Sequence, residues 1–410
     1  MIKCEVLSIG TELLMGQIVN TDAQYISKRL PECGLGVFYH SVIGDNPGRI
    51  KEALKIALQR SDVVITTGGL GPTQDDLTKE IVAEFLGLKL VLDEKSKERI
   101  RSYFQDKGRI LVESNFRQAY FPEGCKIIEN DMGTAPGCIV EKDNKVIVML
   151  PGPPKELIPM FDKVIDYFKE RTQVRLISRF LRIVGIGESL VEQKIFDLVS
   201  SQTNPTLATY AKDGIVTIRV TASNEGGQDP ETLVNDMVDK ICEILGEDVY
   251  TVDNEELEFT VFKLLKEKKL KIATAESCSG GVLAELLTSI PGSSEVFLCG
   301  AVTYSEESKI SLLSVNRETI ESFGAVSKET AYEMAEGICK KIGSDVGVSI
   351  TGYAGPTAEK DNKNVGLVYI GVCYRGKTVV KEFNLFGNRD RIRTMSAVSA
   401  LDMVRRIIIE

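Results

Sequence analysis

A serine that attacks a carbonyl needs a neighbour to take its proton, and the most suggestive serine of this sequence has no histidine to turn to. Ser277 stands in Thr274-Ala-Glu-Ser-Cys-Ser-Gly-Gly281, between a short apolar run and a helical pattern. The chain of 410 residues holds one histidine, His40, far upstream. A Ser-His-Asp arrangement in this half is therefore excluded by composition, and the base must be a lysine or a carboxylate. Lys309, at the end of Tyr304-Ser-Glu-Glu-Ser-Lys309, is the candidate, because a lysine accepts protons at neutral pH once burial or nearby positive charge lowers its pKa. Gly280 and Gly281 allow close backbone approach at a helix start, where free N–H groups could stabilise an oxyanion. In Ser349-Ile-Thr-Gly-Tyr-Ala-Gly-Pro356, Thr351 could hold a hydroxyl or a polar group of a substrate in register. Together these residues suit amide hydrolysis. Singly, each has a plainer reading: Ser277 as a helix N-cap, Lys309 as a solvated surface residue, Thr351 as a strand residue before a turn, and Arg389, Arg391 and Arg393 as a solvated helix start. Their occurrence at successive loops of one domain favours the chemical reading.

A second constellation lies in Asp62-Val-Val-Ile-Thr-Thr-Gly-Gly-Leu-Gly-Pro-Thr-Gln-Asp-Asp76, a buried strand running into a glycine-rich loop. The backbone around Gly68, Gly69, Gly71 and Thr73 could cradle phosphate, and Asp75 and Asp76 could hold a hard divalent cation bridging phosphoryl oxygens. The loop is neither a P-loop nor a dinucleotide fingerprint. A tight turn followed by an acidic helix start is an equally good reading of the residues.

The elements that must position these groups follow an α/β rhythm. Up to about residue 170, strand-like runs at Glu5 to Ile9, Val37 to Val42, Asp62 to Thr67 and Val146 to Leu150 alternate with helical stretches such as Arg49 to Gln59 and Thr78 to Leu86. Glycine and proline gather where the strands end, the place where open parallel sheets bind ligands. Residues from about 174 to 252 suggest a small βαββα unit, with one helix around Leu190 to Ser200 and another from Pro230 to Leu245. From about 254 onward, runs at Lys271 to Thr274, Phe297 to Thr303, Asp345 to Thr351, Leu367 to Val372 and Val379 to Leu385 again alternate with helices. The expected architecture is two α/β domains with mostly parallel sheets, joined by a small α+β domain; the domains are 1–170, 171–252 and 253–410.

Apolar residues make up 43% and charged residues 27%, a globular composition without a stretch long enough to span a membrane. The first residues read as a strand rather than a signal peptide, so a cytoplasmic location is expected. Nine scattered cysteines form no disulfide or zinc pattern. A net charge of −9 argues against nucleic-acid or membrane binding over the whole surface, and acidic residues outnumber basic ones in the middle segment despite a topology like that of RNA-binding modules.

Four segments, Ala275 to Gly281, Val302 to Lys309, Thr351 to Pro356 and Gly387-Asn-Arg-Asp390, resemble the nicotinamide mononucleotide deamidase family, the C-terminal half of CinA proteins. Ser279 stands where the family motif usually has threonine, a change that keeps the hydroxyl. The resemblance implies Ser277 as nucleophile and Lys309 as base. Tyr304 and Thr351 would support their hydrogen-bond network, and Glu276, Gly280, Gly281, Gly352, Arg389 and Arg393 would form the substrate site. No cofactor is required for that reaction, and an arginine suits the 5′-phosphate. Gly10 to Asn20 and the Gly68 to Asp76 loop resemble molybdopterin-binding domains of the MoaB and MogA type, and with Leu150-Pro-Gly-Pro-Pro-Lys-Glu156 they are similar to the N-terminal domain of CinA. That similarity implies hydrolysis of ADP-ribose to AMP and ribose 5-phosphate, with a divalent cation such as magnesium and with potassium. Glu12, Asp45, Asp75 and Asp76 would be the metal or activated-water contacts. The middle segment would be KH-like, the partners small nucleotides (nicotinamide mononucleotide and ADP-ribose), and the assembly a homodimer. Two other readings stay open: an N-terminal module that binds a nucleotide or pterin without hydrolysing it, and a competence or DNA-damage accessory acting through protein contacts.

Overall fold

The computed structural model describes residues 2–172, 175–224, 226–356 and 365–409. They fall into two compact units, Met1–Ile177 with Ser223–Pro230, and Ser178–Ala222 with Glu231–Glu410. The first unit contains β1 (Ile2–Ile9), β2 (Leu35–Ile43), β3 (Val63–Thr67), β4 (Leu90–Leu92), β5 (Tyr120–Pro122), β6 (Lys126–Ile128), β7 (Gly137–Lys142) and β8 (Lys145–Leu150). Six of these make one sheet in the order β2-β1-β3-β8-β7-β6, and β4 pairs with β5 separately. The pairs from β2 to β8 are parallel, as the sequence rhythm suggests, while β7 and β6 are added antiparallel. The reversal has a local cause. Lys142 pairs with Lys145 across the two-residue loop Asp143-Asn144, both at positive φ, and such a loop returns the chain beside itself.

Burial on both faces explains the near-continuous apolar runs of β1 and β3. Cys4, Val6, Val63 and Ile65 pack with Ile26, Leu157 and Phe161 of the helices Thr21–Arg29 and Pro154–Lys169. Leu7, Ile9 and Val64 pack with Leu54, Ile81 and Val82 of the helices Pro47–Arg60 and Thr78–Leu86. Asn46, which accepts the Arg49 N–H at 3.1 Å, and Pro47 in the first turn start one of these helices where the sequence rules place such residues.

In the second unit, β9 (Leu176–Val184), β10 (Thr206–Lys212), β11 (Ile215–Ser223) and β12 (Val249–Thr251) form a sheet in the order β10-β11-β9-β12. The single helix expected around Leu190 to Ser200 is two short ones, Glu188–Lys194 and Phe196–Ser200. They meet at the fully buried Ile195, whose backbone leaves the helical region at ψ 15°.

The remaining strands, β13 (Ile272–Glu276), β14 (Phe297–Val302), β15 (Val346–Gly352), β16 (Leu367–Tyr374) and β17 (Lys377–Asn384), form a five-stranded sheet in the order β14-β13-β15-β16-β17. β13 is parallel to both neighbours, and β16 and β17 continue antiparallel. Because β14 and β15 follow β13 in sequence but lie on opposite sides of it, strand order reverses at β13. The crevice at its carboxyl end is the expected ligand position. One face packs on the helices Leu257–Glu267, Val282–Thr288 and Arg389–Ile409, and the other, through Ala273 and Ala275, on Leu313, Ile320, Met334 and Ile338. Among the described residues no helix is long and apolar enough to cross a membrane.

Candidate active site

β13, β14 and β15 end side by side, with Glu276 paired to both Val302 and Ile350. The residues that follow therefore start in contact. The Ser277 N–H donates to the Ile350 carbonyl at 2.9 Å, and the Thr303 N–H to the Glu276 carbonyl at 2.8 Å. From Thr303 the chain turns into the helix Glu306–Leu313, whose cap Ser305 accepts the Ser308 N–H at 3.2 Å. Lys309 lies on that helix and points back under the sheet edge, 1% exposed.

Lys309 Nζ is 3.0 Å from Ser277 Oγ, 2.8 Å from the Thr303 carbonyl and 3.4 Å from the Tyr304 carbonyl. A neutral amine has two N–H bonds and one lone pair. The two carbonyls can take the N–H bonds, which leaves the lone pair for the Ser277 hydroxyl to donate to. Burial lowers the Lys309 pKa, an effect that a Cys278 thiolate would oppose and that the charge of Glu306 does oppose. Burial also pushes the Cys278 thiol up to about 12, so at neutral pH this neighbour is uncharged and gives the lysine no counter-ion.

Glu276 is fully buried and turned into the loop rather than the crevice. One carboxylate oxygen accepts from Ser279 Oγ at 2.7 Å and from the N–H groups of Gly281 and Leu283 at 3.1 and 3.0 Å; the other accepts the Ala284 N–H at 2.8 Å. It satisfies the orphan donors at the start of the helix Val282–Thr288. The Gly280 N–H donates to the Ser277 carbonyl at 3.0 Å. Both glycine N–H groups read from the sequence as oxyanion donors are thus engaged within the loop, and the two glycines serve its shape, at φ +64° and +97°.

The other expected groups divide. Arg389 donates to the Gly355 carbonyl at 2.6 Å and to the Tyr304 hydroxyl at 3.2 Å, and Arg393, one helical turn on, donates through Nε to the Ser279 carbonyl at 2.9 Å. The start of the helix Arg389–Ile409 thus joins the Ser277 loop to the exposed Tyr304. Thr351 is fully buried and donates its hydroxyl to the Ala325 carbonyl at 2.8 Å. Gly352 lies so close to β16 that a Cβ there would sit 2.6 Å from the Leu367 carbonyl oxygen. Thr303, whose carbonyl orients Lys309, has no signal in the sequence because its role is played by the backbone.

The glycine-rich loop of the first unit opens on a cleft of about 700 Å³, lined by Gly68, Gly69, Gly71, Glu12, Asp45, Asp75 and Asp76 among others. Gly68 is obligatory, since a Cβ at its φ of +97° would lie 2.1 Å from the Ile9 carbonyl oxygen. Asp45 accepts the N–H and hydroxyl of Thr11, each at 2.9 Å. Thr73 is engaged within the loop: its N–H donates to Asp76 at 3.0 Å, and its hydroxyl contacts both Asp75 and Asp76, which holds the Asp75 carboxyl below its usual range. The four carboxylates share a cleft, but among the described residues no three His, Cys, Asp or Glu side chains converge to hold a metal ion. One wall residue has no signal in the sequence: Asp22 is 9% exposed, and its Oδ1 has no hydrogen-bond partner among the described residues.

Three family descriptions match the chain in sequence: a probable molybdopterin binding domain over 5–170, the damage-inducible protein CinA KH domain over 178–251 and the CinA C-terminal domain over 254–408. A competence-damage inducible protein of Acetivibrio thermocellus is 51% identical, over 100% of this chain and 99% of the relative. A CinA-like protein of Dictyoglomus thermophilum is 50% identical, over 98% of each. The crystal structure of a CinA protein of unknown function from Thermoplasma acidophilum is 35% identical and covers 40% of this chain and 97% of its own, with a TM-score of 0.38. With half of its residues identical to those of such relatives from end to end, the chain belongs to the CinA family.

Proposed function

We propose that the second unit is an amidohydrolase that converts nicotinamide mononucleotide to nicotinic acid mononucleotide and ammonia. The observation that carries this reading is the 3.0 Å approach of a fully buried lysine amine to a serine hydroxyl at the strand-order reversal. Ser277 Oγ attacks the carboxamide carbon as its proton passes to Lys309 Nζ. The tetrahedral intermediate collapses with cleavage of the C–N bond, and Lys309 returns the proton to the departing nitrogen, releasing ammonia. Water, deprotonated by the same amine, then hydrolyses the acyl-serine. Arg389 and Arg393 supply positive charge at the mouth of the site, suited to the phosphate of a nucleotide. Ammonia release by the purified chain, lost in Ser277→Ala, tests the reading.

For the first unit we propose hydrolysis of ADP-ribose-type pyrophosphates, ADP-ribose itself being the substrate that yields AMP and ribose 5-phosphate. The glycine-lined cleft with carboxylates on its wall supports it. The donor set fits a divalent cation that arrives on the pyrophosphate and takes one or two carboxylates, not a caged resident ion. Such a cation would neutralise charge on the phosphoryl oxygens; the loop around Gly68 to Gly71 would position them. AMP formation from ADP-ribose by the purified chain, with magnesium and potassium added or withheld, checks this.

A further inference from the structure

The cleft of the first unit contains a buried acceptor that the described residues leave without a donor. Asp22 is the second residue of the helix Thr21–Arg29, whose cap Asn20 accepts the Ala23 N–H at 3.0 Å and donates to Ser8 Oγ at 2.9 Å. The cap fixes where the Asp22 side chain falls, on the cleft wall with only 9% of its surface exposed and with no hydrogen-bond partner for Oδ1 among the described residues. Its carboxyl is raised to about 6 by burial, with no neighbouring charge or donor to offset that cost.

Of the other wall carboxylates, Glu12 is exposed to water, Asp75 accepts the Thr73 hydroxyl, and the rest have donors as well. Asp45 has the two donors of Thr11, Asp76 has those of Thr73, and Glu156 accepts the Asn130 amide at 2.5 Å. A buried acceptor left bare destabilises the free protein, so its natural complement is a donor supplied by the ligand. A phosphate cannot fill that role, because it brings acceptors and negative charge to a carboxylate. A resident cation is disfavoured by the lack of three converging ligands among the described residues, and one that arrives on the pyrophosphate has Asp75 and Asp76 of the glycine loop itself to meet. Sugar hydroxyls are neutral donors, and carboxylates bind the hydroxyls of ribose in other nucleotide sites.

We propose that Asp22 is the specificity-determining contact of this cleft, accepting a hydrogen bond from a ribose hydroxyl of a ligand whose phosphates lie on the Gly68 to Gly71 loop. The proposal rests on the reading of the first unit as a site for ribosyl pyrophosphates. It separates the recognition of the sugar, at Asp22, from the recognition of phosphate, at the glycine loop.

The test is equilibrium binding to the full chain with magnesium, comparing ADP-ribose, supplied as the methylene-bridged analogue that cannot be hydrolysed, with inorganic pyrophosphate, which has phosphates but no sugar. Asp22→Ala is expected to weaken ADP-ribose at least about tenfold, the usual effect of losing a hydrogen bond to a charged group, and to leave pyrophosphate within about twofold. Asp22→Asn, which keeps the shape and a weaker acceptor, should fall between. In the ligand-free protein neither substitution should lower the unfolding temperature, since Oδ1 has no bond among the described residues to lose. Equal weakening of both ligands, undiminished ADP-ribose binding, or a lowered unfolding temperature would each overturn the assignment of Asp22 while leaving the site reading intact. Wild-type protein that binds pyrophosphate but not ADP-ribose, or neither, would overturn the site reading and this proposal together.

Discussion

Lys309 Nζ lies 3.0 Å from Ser277 Oγ, with two backbone carbonyls on its other side. That arrangement aims the amine as well as burying it, so its removal should cost the full benefit of a positioned base. Lys309→Met, which keeps the length and apolar stem, is expected to lower kcat for ammonia release by about 10²–10⁴-fold. Far-ultraviolet circular dichroism of the variant should be unchanged. Activity within a few-fold of wild type would remove Lys309 from the mechanism.

The pH profile should carry the same signature. Only the unprotonated amine can accept the serine proton, so kcat/KM should rise with pH and level off above the Lys309 pKa. Burial places that midpoint below the ordinary lysine value. The charge of Glu306 opposes the shift, so Glu306→Gln should move the rising limb to still lower pH. A limb that moves upward in that variant would contradict the electrostatic account.

Glu276 organises the Ser277 loop from inside. Glu276→Ala leaves the Ser279 hydroxyl and three N–H groups without their acceptor in a buried place. The expected loss is about 2–4 kcal/mol in the denaturant-induced unfolding of this unit, with a smaller loss for Glu276→Gln. A loss below about 0.5 kcal/mol, the range of ordinary surface substitutions, would show that the loop holds its shape without the carboxylate.

Arg389 is exposed at the mouth of the site, where it also touches Tyr304. If its charge receives the nucleotide phosphate, Arg389→Ala should raise KM for nicotinamide mononucleotide about tenfold to a hundredfold. It should matter far less for nicotinamide riboside, which lacks that phosphate. Steady-state kinetics with the two substrates separate phosphate binding from a general disturbance of the loop, which would impair both alike.

Much of the fold was legible because strands buried on both faces write continuous apolar runs and end in glycine, as Val63–Thr67 before Gly68 does. The antiparallel additions were not, since an Asp143-Asn144 turn weighs little in a sequence read for parallel units. The approach of Lys309 to Ser277 could be anticipated from the want of a histidine and from two successive strand-to-helix junctions. Sequence could not show which way a polar side chain turns. Glu276 and Thr351 sit in the right motifs yet bond inward, and the carbonyls of Thr303 and Tyr304 act through atoms every residue has. Asp22 belongs to no motif, and its isolation arises only from packing.

The most direct measurement follows ammonia released from nicotinamide mononucleotide by the purified chain and by Ser277→Ala, in buffer treated to remove metal ions. Steady release and nicotinic acid mononucleotide are expected from the wild type, with release by the variant at the level of the buffer. Ammonia formed equally by the two proteins, or none from the wild type, would contradict it.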